Sequence, residues 1–404
     1  MIDGQQRLTA LLASIYGIKI KDKDYKDRYI KISFNPLNRD FAVWTEAYER
    51  NPEWISEISK VFKADEEHAV SKLRRNFIKE CNSAREKNNK SVLTDEEEER
   101  IEENINDLLD LQIYTLPTLR INCNASEEDV AEIFVRVNSG GQKLSEKNFI
   151  ETLLAVYDND VHEKIDRFCA DSRNFKDKTS YNFILKVDPS HLIRMAVGVG
   201  FRRARLRYAY MLMRGKDLDT GLITNEEMKI NLKKFKDALD KVTDLNNWHT
   251  FMGLFSEAGY VTGSLVASTN AVVFSYVLYL IGKFDYNVQP LSLHKIIKKW
   301  IFMSTITNFY TGSTESEVER QFADLRNITT PQEFVTYLDS SIAARFTNDF
   351  FETTLPLALN SASANSPSGY GYLAALNVLG TPMLFSTTIL ASKLLRELTV
   401  IRKQ

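Results

Sequence analysis

Scarcity defines this 404-residue chain before any motif does. Its three cysteines, Cys81, Cys123 and Cys169, are odd in number and far apart, which excludes the paired framework of a disulfide-stapled secreted domain. None stands in a Cys-x-x-Cys spacing, so no zinc site of that kind is encoded. The five histidines, His68, His162, His191, His249 and His294, include no adjacent pair and no His-x-x-His, which removes the usual core of a metal-activated hydrolytic centre. Net charge is also missing: 52 Lys and Arg stand against 54 Asp and Glu. No global field recruits nucleic acid or membrane, so any such contact must be a local patch. Long apolar runs are absent too, since the most hydrophobic stretch, Ala271 to Gly282, is well short of the ~20 residues that span a bilayer. The amino terminus has no basic segment leading into an apolar core and reads as no signal peptide. The expectation is a soluble cytoplasmic protein without membrane partners.

What is present is material for packed cores, 44% hydrophobic residues over a length suited to two or three domains. Leu8, Leu11, Leu12 and Ile15 recur at helical spacing and predict a first helix over Gln5–Tyr16, stopped by Gly17. Alternation predicts a strand over Tyr29–Phe34, closed by Asn35-Pro36, and a second over Tyr114–Asn122. The charged stretch between them, Lys60 to Asn106, reads as a pair of solvated antiparallel helices. Ser126-Glu127-Glu128-Asp129 opens a further helix through Val137, broken by Asn138-Ser139-Gly140-Gly141. Beyond Ser145 the pattern is helical throughout: Phe149–Tyr157, Ser190–Met213, Asn225–Leu245, Val261–Ile281, Ser292–Asn308 and Glu315–Leu325. The low-complexity run Asn360–Gly369 reads as a flexible loop before the last helices. The fold class expected is α+β, predominantly α-helical, with an α+β region at 1–145 and an all-helical domain at 146–404.

The most informative residues come first. Ile2-Asp3-Gly4-Gln5-Gln6-Arg7-Leu8-Thr9 is a polar turn feeding into a helix, with Asp3 and Gln6 at capping-box spacing and Gly4 permitting close approach of a ligand to the backbone. Arg7 falls in the first turn, where the helix dipole disfavours a cation by about 0.3–1 kcal/mol unless a negative group lies nearby. An ordinary helix cap and a phosphate site both fit this pattern. A second such element is Arg136 with Asn138, which opens a Gly140-Gly141 turn able to serve as an anion nest or as a plain C-cap.

Ile2–Thr9 resembles the DGQQR signature of the ParB/sulfiredoxin-like prokaryotic defence proteins of the GmrSD type, which are modification-dependent restriction enzymes. Ala131–Ser145, containing Ile133-Phe134-Val135-Arg136-Val137-Asn138-Ser139-Gly140-Gly141, resembles a second segment of the same family. Weaker likeness continues through Lys299–Phe302, Tyr310–Ser316 and Leu373–Gly380. The resemblance implies a partial ParB/sulfiredoxin-like element followed by a helical domain. It also implies binding of a nucleoside triphosphate with Mg²⁺, and hydrolysis in some members, at Asp3, Gly4, Gln5, Gln6 and Arg7, assisted by Arg136 and Asn138. Arg7 would be a forked donor to phosphate, the Gly4 and Gln5 amides backbone donors, and Gln6 a water holder, with Asp3 either a Mg²⁺ ligand or a cap. In that family a strand-rich stretch precedes the motif and an HNH-type "HHxFP" nuclease segment follows the helices. Neither is found here, so the resemblance implies a chain shortened at both ends, without its own nuclease, acting with a separate nuclease chain. A non-catalytic DNA- or protein-binding regulatory module and an inactive remnant are the alternatives.

One further segment carries concentrated charge: Arg194, then Arg202-Arg203-Ala204-Arg205-Leu206-Arg207-Tyr208, then Arg214 and Lys216. Arginine forks suit phosphates and tyrosines stack on bases, so Arg202, Arg203, Arg205 and Arg207 are candidate DNA contacts. A solvated or internally paired face is the other reading. The aromatic residues Trp300, Phe302, Phe309 and Tyr310 read as core.

Overall fold

The computed structural model describes residues 5–22, 24–116, 159–213, 215–218, 220–311, 314–361 and 365–382. The expected strand Tyr114–Asn122 lies largely outside them, with Tyr114–Leu116 in no regular element. The helices expected at Ser126–Val137 and Phe149–Tyr157, and the turn Asn138–Gly141, lie wholly outside them. The chain divides into two compact units, Met1–Asn138 and Ser139–Gln404.

In the amino-terminal unit, helix α1 runs Gln5–Tyr16 and ends at Gly17, whose φ of +62° is the left-handed geometry that glycine adopts freely. A short hairpin follows, β1 (Lys19–Lys21) with β2 (Asp27–Tyr29), its turn tied by Asp22, which accepts from the Asp24 and Lys26 amides and from the Arg28 guanidinium. These bonds hold the Asp22 carboxyl below its ordinary range, the Lys26 amide foremost. A second hairpin pairs β3 (Ile32–Asn35) with β4 (Asp40–Val43). The single strand expected over Tyr29–Phe34 is therefore two strands. The chain changes partner across Ile30–Lys31, from β1 on one side to β4 and to Ile55 and Ile58 on the other. Helix α2 (Glu46–Arg50) leads into α3 (Ser59–Glu66), α4 (Val70–Lys87) and α5 (Asp95–Leu109), the last opened by a Thr94/Glu97 capping box. Ile15, Phe34, Val61, Phe62, Ile101 and Ile105 meet in one core, into which the buried Asn104 donates to the Pro36 carbonyl at 2.7 Å.

The second unit is helical: α6 (Asn159–Asp171), α7 (Pro189–Phe201), α8 (Leu206–Met213), α9 (Asn225–Thr243), α10 (Leu245–Glu257), α11 (Thr269–Phe284), α12 (Pro290–Ile306), α13 (Thr314–Leu325), α14 (Pro331–Ala343), α15 (Leu355–Ser361) and α16 (Pro367–Val378). Every residue of α11 from Ala271 to Gly282 is buried, the signature of a helix apolar on all sides. It packs against α7 and α12, and α9 lies along α7. No helix among the described residues is long and apolar enough to cross a membrane. Trp300 and Tyr310 are fully buried and joined by a 3.0 Å Nε1–H to phenol bond, so these rings are core as expected.

Three expectations for this unit need correction. Ser190–Met213 is not one helix, because Arg202 adopts φ +54° and ends α7. Val261–Ser268 is not helical apart from one 3₁₀ turn at Gly263–Leu265, because Ser268 rather than Tyr260 precedes the first helical turn of α11. The loop read over Asn360–Gly369 is shorter, since α15 reaches Ser361 and Ser366 caps α16 by accepting from the Gly369 amide.

Gly259 joins α10 to the following loop at φ +92°, and a Cβ there would lie 2.0 Å from the Ala374 carbonyl oxygen of α16. Gly259→Ala is expected to destabilise the protein by about 2 kcal/mol or more through backbone strain and displacement of α16. Gly253→Ala, six residues earlier inside α10 with nothing within 4 Å of the added carbon, is expected to stabilise by about 0.5–1 kcal/mol. Urea denaturation of the two variants beside the parent checks the opposite signs.

Candidate functional site

At the amino-terminal motif the structure places Gln5, Gln6 and Arg7 together in the first turn of α1. Asp3, Gly4, Arg136 and Asn138 lie outside the described residues. The first-turn amides of a helix have no intrahelical acceptor, and together they carry a partial positive charge. In α1 that turn contains no acidic residue, while Arg7 is exposed within it. Helix end and guanidinium thus add their positive potentials instead of cancelling, an arrangement that favours a bound anion.

The arginine-rich segment is built differently. Arg202 folds its guanidinium back to the Val199 and Gly198 carbonyls at 2.5 and 3.3 Å and pairs with Asp285 at the end of α11. Its own carbonyl accepts from Arg326, just past α13. Arg194 donates to Glu315 at 2.6 Å, and Arg205 donates to the Ser316 hydroxyl at 2.8 Å. Glu319 accepts from the Ala204 and Arg205 amides at 2.6 and 3.2 Å and lies 3.9 Å from Arg203. Arg203 and Arg207 both set their guanidinium groups over the Tyr208 ring. The segment is therefore a seam joining the end of α7 to α13, and internal pairing accounts for Arg194, Arg202, Arg203 and Arg205. The acidic partners, Glu315 and Glu319, sit four apart on one helix face.

The other candidate groups also have structural partners. His162 lies 3.8 Å from Asp166, the His249 ring bonds the Thr179 carbonyl at 2.7 Å, and the His191 ring accepts the Asp188 amide ahead of α7. Cys81 and Cys169 are buried thiols; desolvation pushes Cys81 up to about 12, which keeps it protonated and unreactive. Among the described residues no three His, Cys, Asp or Glu side chains converge to hold a metal. A Mg²⁺ ion carried by phosphates needs only one or two carboxylates, so this does not conflict with the role considered for Asp3.

A cleft of about 670 Å³ in the helical unit lies where α7, α11 and α13 end, with Arg202, Lys234, Lys241 and Arg326 on its walls beside Asp237 and Asp285. Helix carboxyl ends carry partial negative charge, so these cations answer the helices themselves. Sequence reasoning missed this cleft because its members come from four separated helices, α7, α9, α11 and α13.

Residues 1–155 match the family model described as the GmrSD restriction endonuclease, N-terminal domain. No curated protein matches the chain.

Glu319 satisfies two backbone amides from a position where its side chain is 15% exposed. Glu319→Ala leaves both unpaired and is expected to cost about 1.5–3 kcal/mol of stability, with Glu319→Gln retaining part of it. Thermal unfolding of both variants measures the difference.

Proposed function

We propose that the chain, whose residues 1–155 match the GmrSD restriction endonuclease N-terminal domain, is a protein of the GmrSD restriction and defence type that binds a nucleoside triphosphate with Mg²⁺ at the amino-terminal turn of α1. The observation that carries this reading is the pairing of an acid-free first helical turn with an exposed arginine in the same turn. Arg7 acts as the forked donor to phosphate oxygens, the Gly4 and Gln5 amides act as backbone donors, and Gln6 orients water at the terminal phosphate. Asp3 holds the Mg²⁺ ion or caps the helix, and Arg136 with the Asn138 turn completes the anion's surroundings. Where hydrolysis follows, it serves as a switch: the triphosphate-bound and spent states differ in charge at this helix end, and that difference gates a nuclease on a separate chain. The arginine seam at 202–207 holds the helical unit together in this reading and is not assigned to DNA.

Isothermal titration with GTP, ATP, CTP and UTP in Mg²⁺, beside phosphate release from the same samples, tests the proposal. Binding of at least one triphosphate is expected, and Arg7→Ala is expected to weaken it by about 1.5–3 kcal/mol, the range for a hydrogen bond to a charged group. Absence of heat with all four nucleotides, or an unchanged affinity in a folded Arg7→Ala variant, would remove the site from α1.

A further inference from the structure

Beside the opposite end of α1 the amino-terminal unit contains a cleft of about 380 Å³, within the range of small-ligand sites. Eleven helical rises separate Tyr16 from Gln5, about 16 Å along the axis, so this cleft is distinct from the motif turn. Its walls include Tyr16, Tyr29, Lys31, Ser59, Lys60 and Lys63. The two tyrosines are 50% and 52% exposed, an unusual state for large aromatic rings bordering a concavity, and Lys19 lies 5.6 Å from the centre of the Tyr29 ring. Of the three wall lysines, Lys31 is held by Glu57 at 2.9 Å and Lys60 by the Ser56 hydroxyl at 2.7 Å. Lys63 is loosely placed, 3.9 Å from Glu67 with its side chain 74% exposed.

The mixture of groups narrows the ligand. A purely apolar molecule would leave the charge of Lys60, held only by a hydroxyl, and the loosely placed Lys63 unanswered, and a bare anion would leave two tyrosine faces unused. Glu57 and Glu66 in the same wall are acceptors suited to ring amino groups. Ser59, in the wall between them, makes no hydrogen bond through its amide or hydroxyl among the described residues, and both are available as donors to phosphate oxygens. A planar, hydrogen-bonding aromatic ring that carries a phosphate satisfies all of these groups together.

We propose that this cleft binds one nucleotide unit, its base against Tyr16 and Tyr29 and its phosphate at Ser59, Lys60 and Lys63. A free mononucleotide and one residue of a single strand supply the same chemistry. The site is independent of triphosphate binding at α1.

The test is calorimetric titration of the full chain with AMP, CMP, GMP, dTMP, an oligothymidylate and inorganic phosphate, repeated on Tyr29→Ala, Lys63→Glu and Arg7→Ala. Tyr29 and Lys63 are exposed, and circular dichroism verifies that the variants keep their fold. Binding of a mononucleotide or of the oligonucleotide is expected, weakened about tenfold or more by Tyr29→Ala through lost stacking. Lys63→Glu is expected to weaken it as well, and Arg7→Ala to leave it unchanged. Binding of the oligonucleotide alone identifies a strand as the source, and binding of a mononucleotide identifies a free ligand. The proposal is overturned if neither binds, if inorganic phosphate binds as tightly as the nucleotides, or if affinity falls with Arg7→Ala but not with Tyr29→Ala and Lys63→Glu.

Discussion

Complete burial of α11 is the constraint on which the helical unit depends. Twelve successive residues without solvent contact need neighbours on every side, and α7, α12 and the helices behind them supply these. Burial of this kind is stabilising only when the few polar groups inside find partners. Tyr276 in α11 shows how this is met, its phenol donating to the Val242 carbonyl at 3.0 Å, and Tyr286 just beyond the helix donates to the Leu325 carbonyl. Each of these bonds reaches the carboxyl end of a neighbouring helix, so the core rings also fix where α9 and α13 stop.

The ends of helices organise much of the remaining chemistry. The ends of α7, α11 and α13 converge on a cleft rich in cations, whereas the start of α1 is left without an acidic residue. The same dipole argument that explains the first as self-neutralising gives the second a positive potential to which Arg7 adds. That contrast, and not the number of arginines in either place, separates a structural cluster from a candidate ligand site.

Legibility in the sequence follows how local each determinant is. The charged stretch read as one solvated pair holds three helices, α3, α4 and α5, with Val61, Phe62, Phe77, Ile101 and Ile105 buried, but both ends of α1 could be read because a motif turn and a glycine mark them. The division of Tyr29–Phe34 into two strands could not, since it depends on β4 and on Ile55, which pair from elsewhere in the chain. The break at Arg202 escaped for a similar reason: its left-handed backbone is stabilised by Asp285, 83 residues away. For the site, residue types showed that Gln5, Gln6 and Arg7 share a turn. The same reasoning could not tell that Arg194 faces Glu315, Arg202 faces Asp285 and Arg203 faces Glu319, because charge density along a sequence carries no information about distant counter-charges. The tyrosine-lined cleft was illegible because its walls come from α1, the β2–β3 connection and α3.

The seam between α7 and α13 bears on the order in which the helical unit assembles. The bonds from Glu319 to Ala204 and Arg205 span 115 and 114 residues, and that from Arg194 to Glu315 spans 121. Contacts of such separation form after local helices, because loop-closure entropy must first be overcome. During synthesis α11 emerges before α13, so Arg194 and Arg203 wait for Glu315 and Glu319, whereas Arg202 already has Asp285 at the end of α11. A ribosome-bound intermediate ending before Thr314 therefore has α7 and α11 but leaves Arg194, Arg203 and the amides of Ala204 and Arg205 without their acidic partners, which makes completion of α13 the committing step of folding.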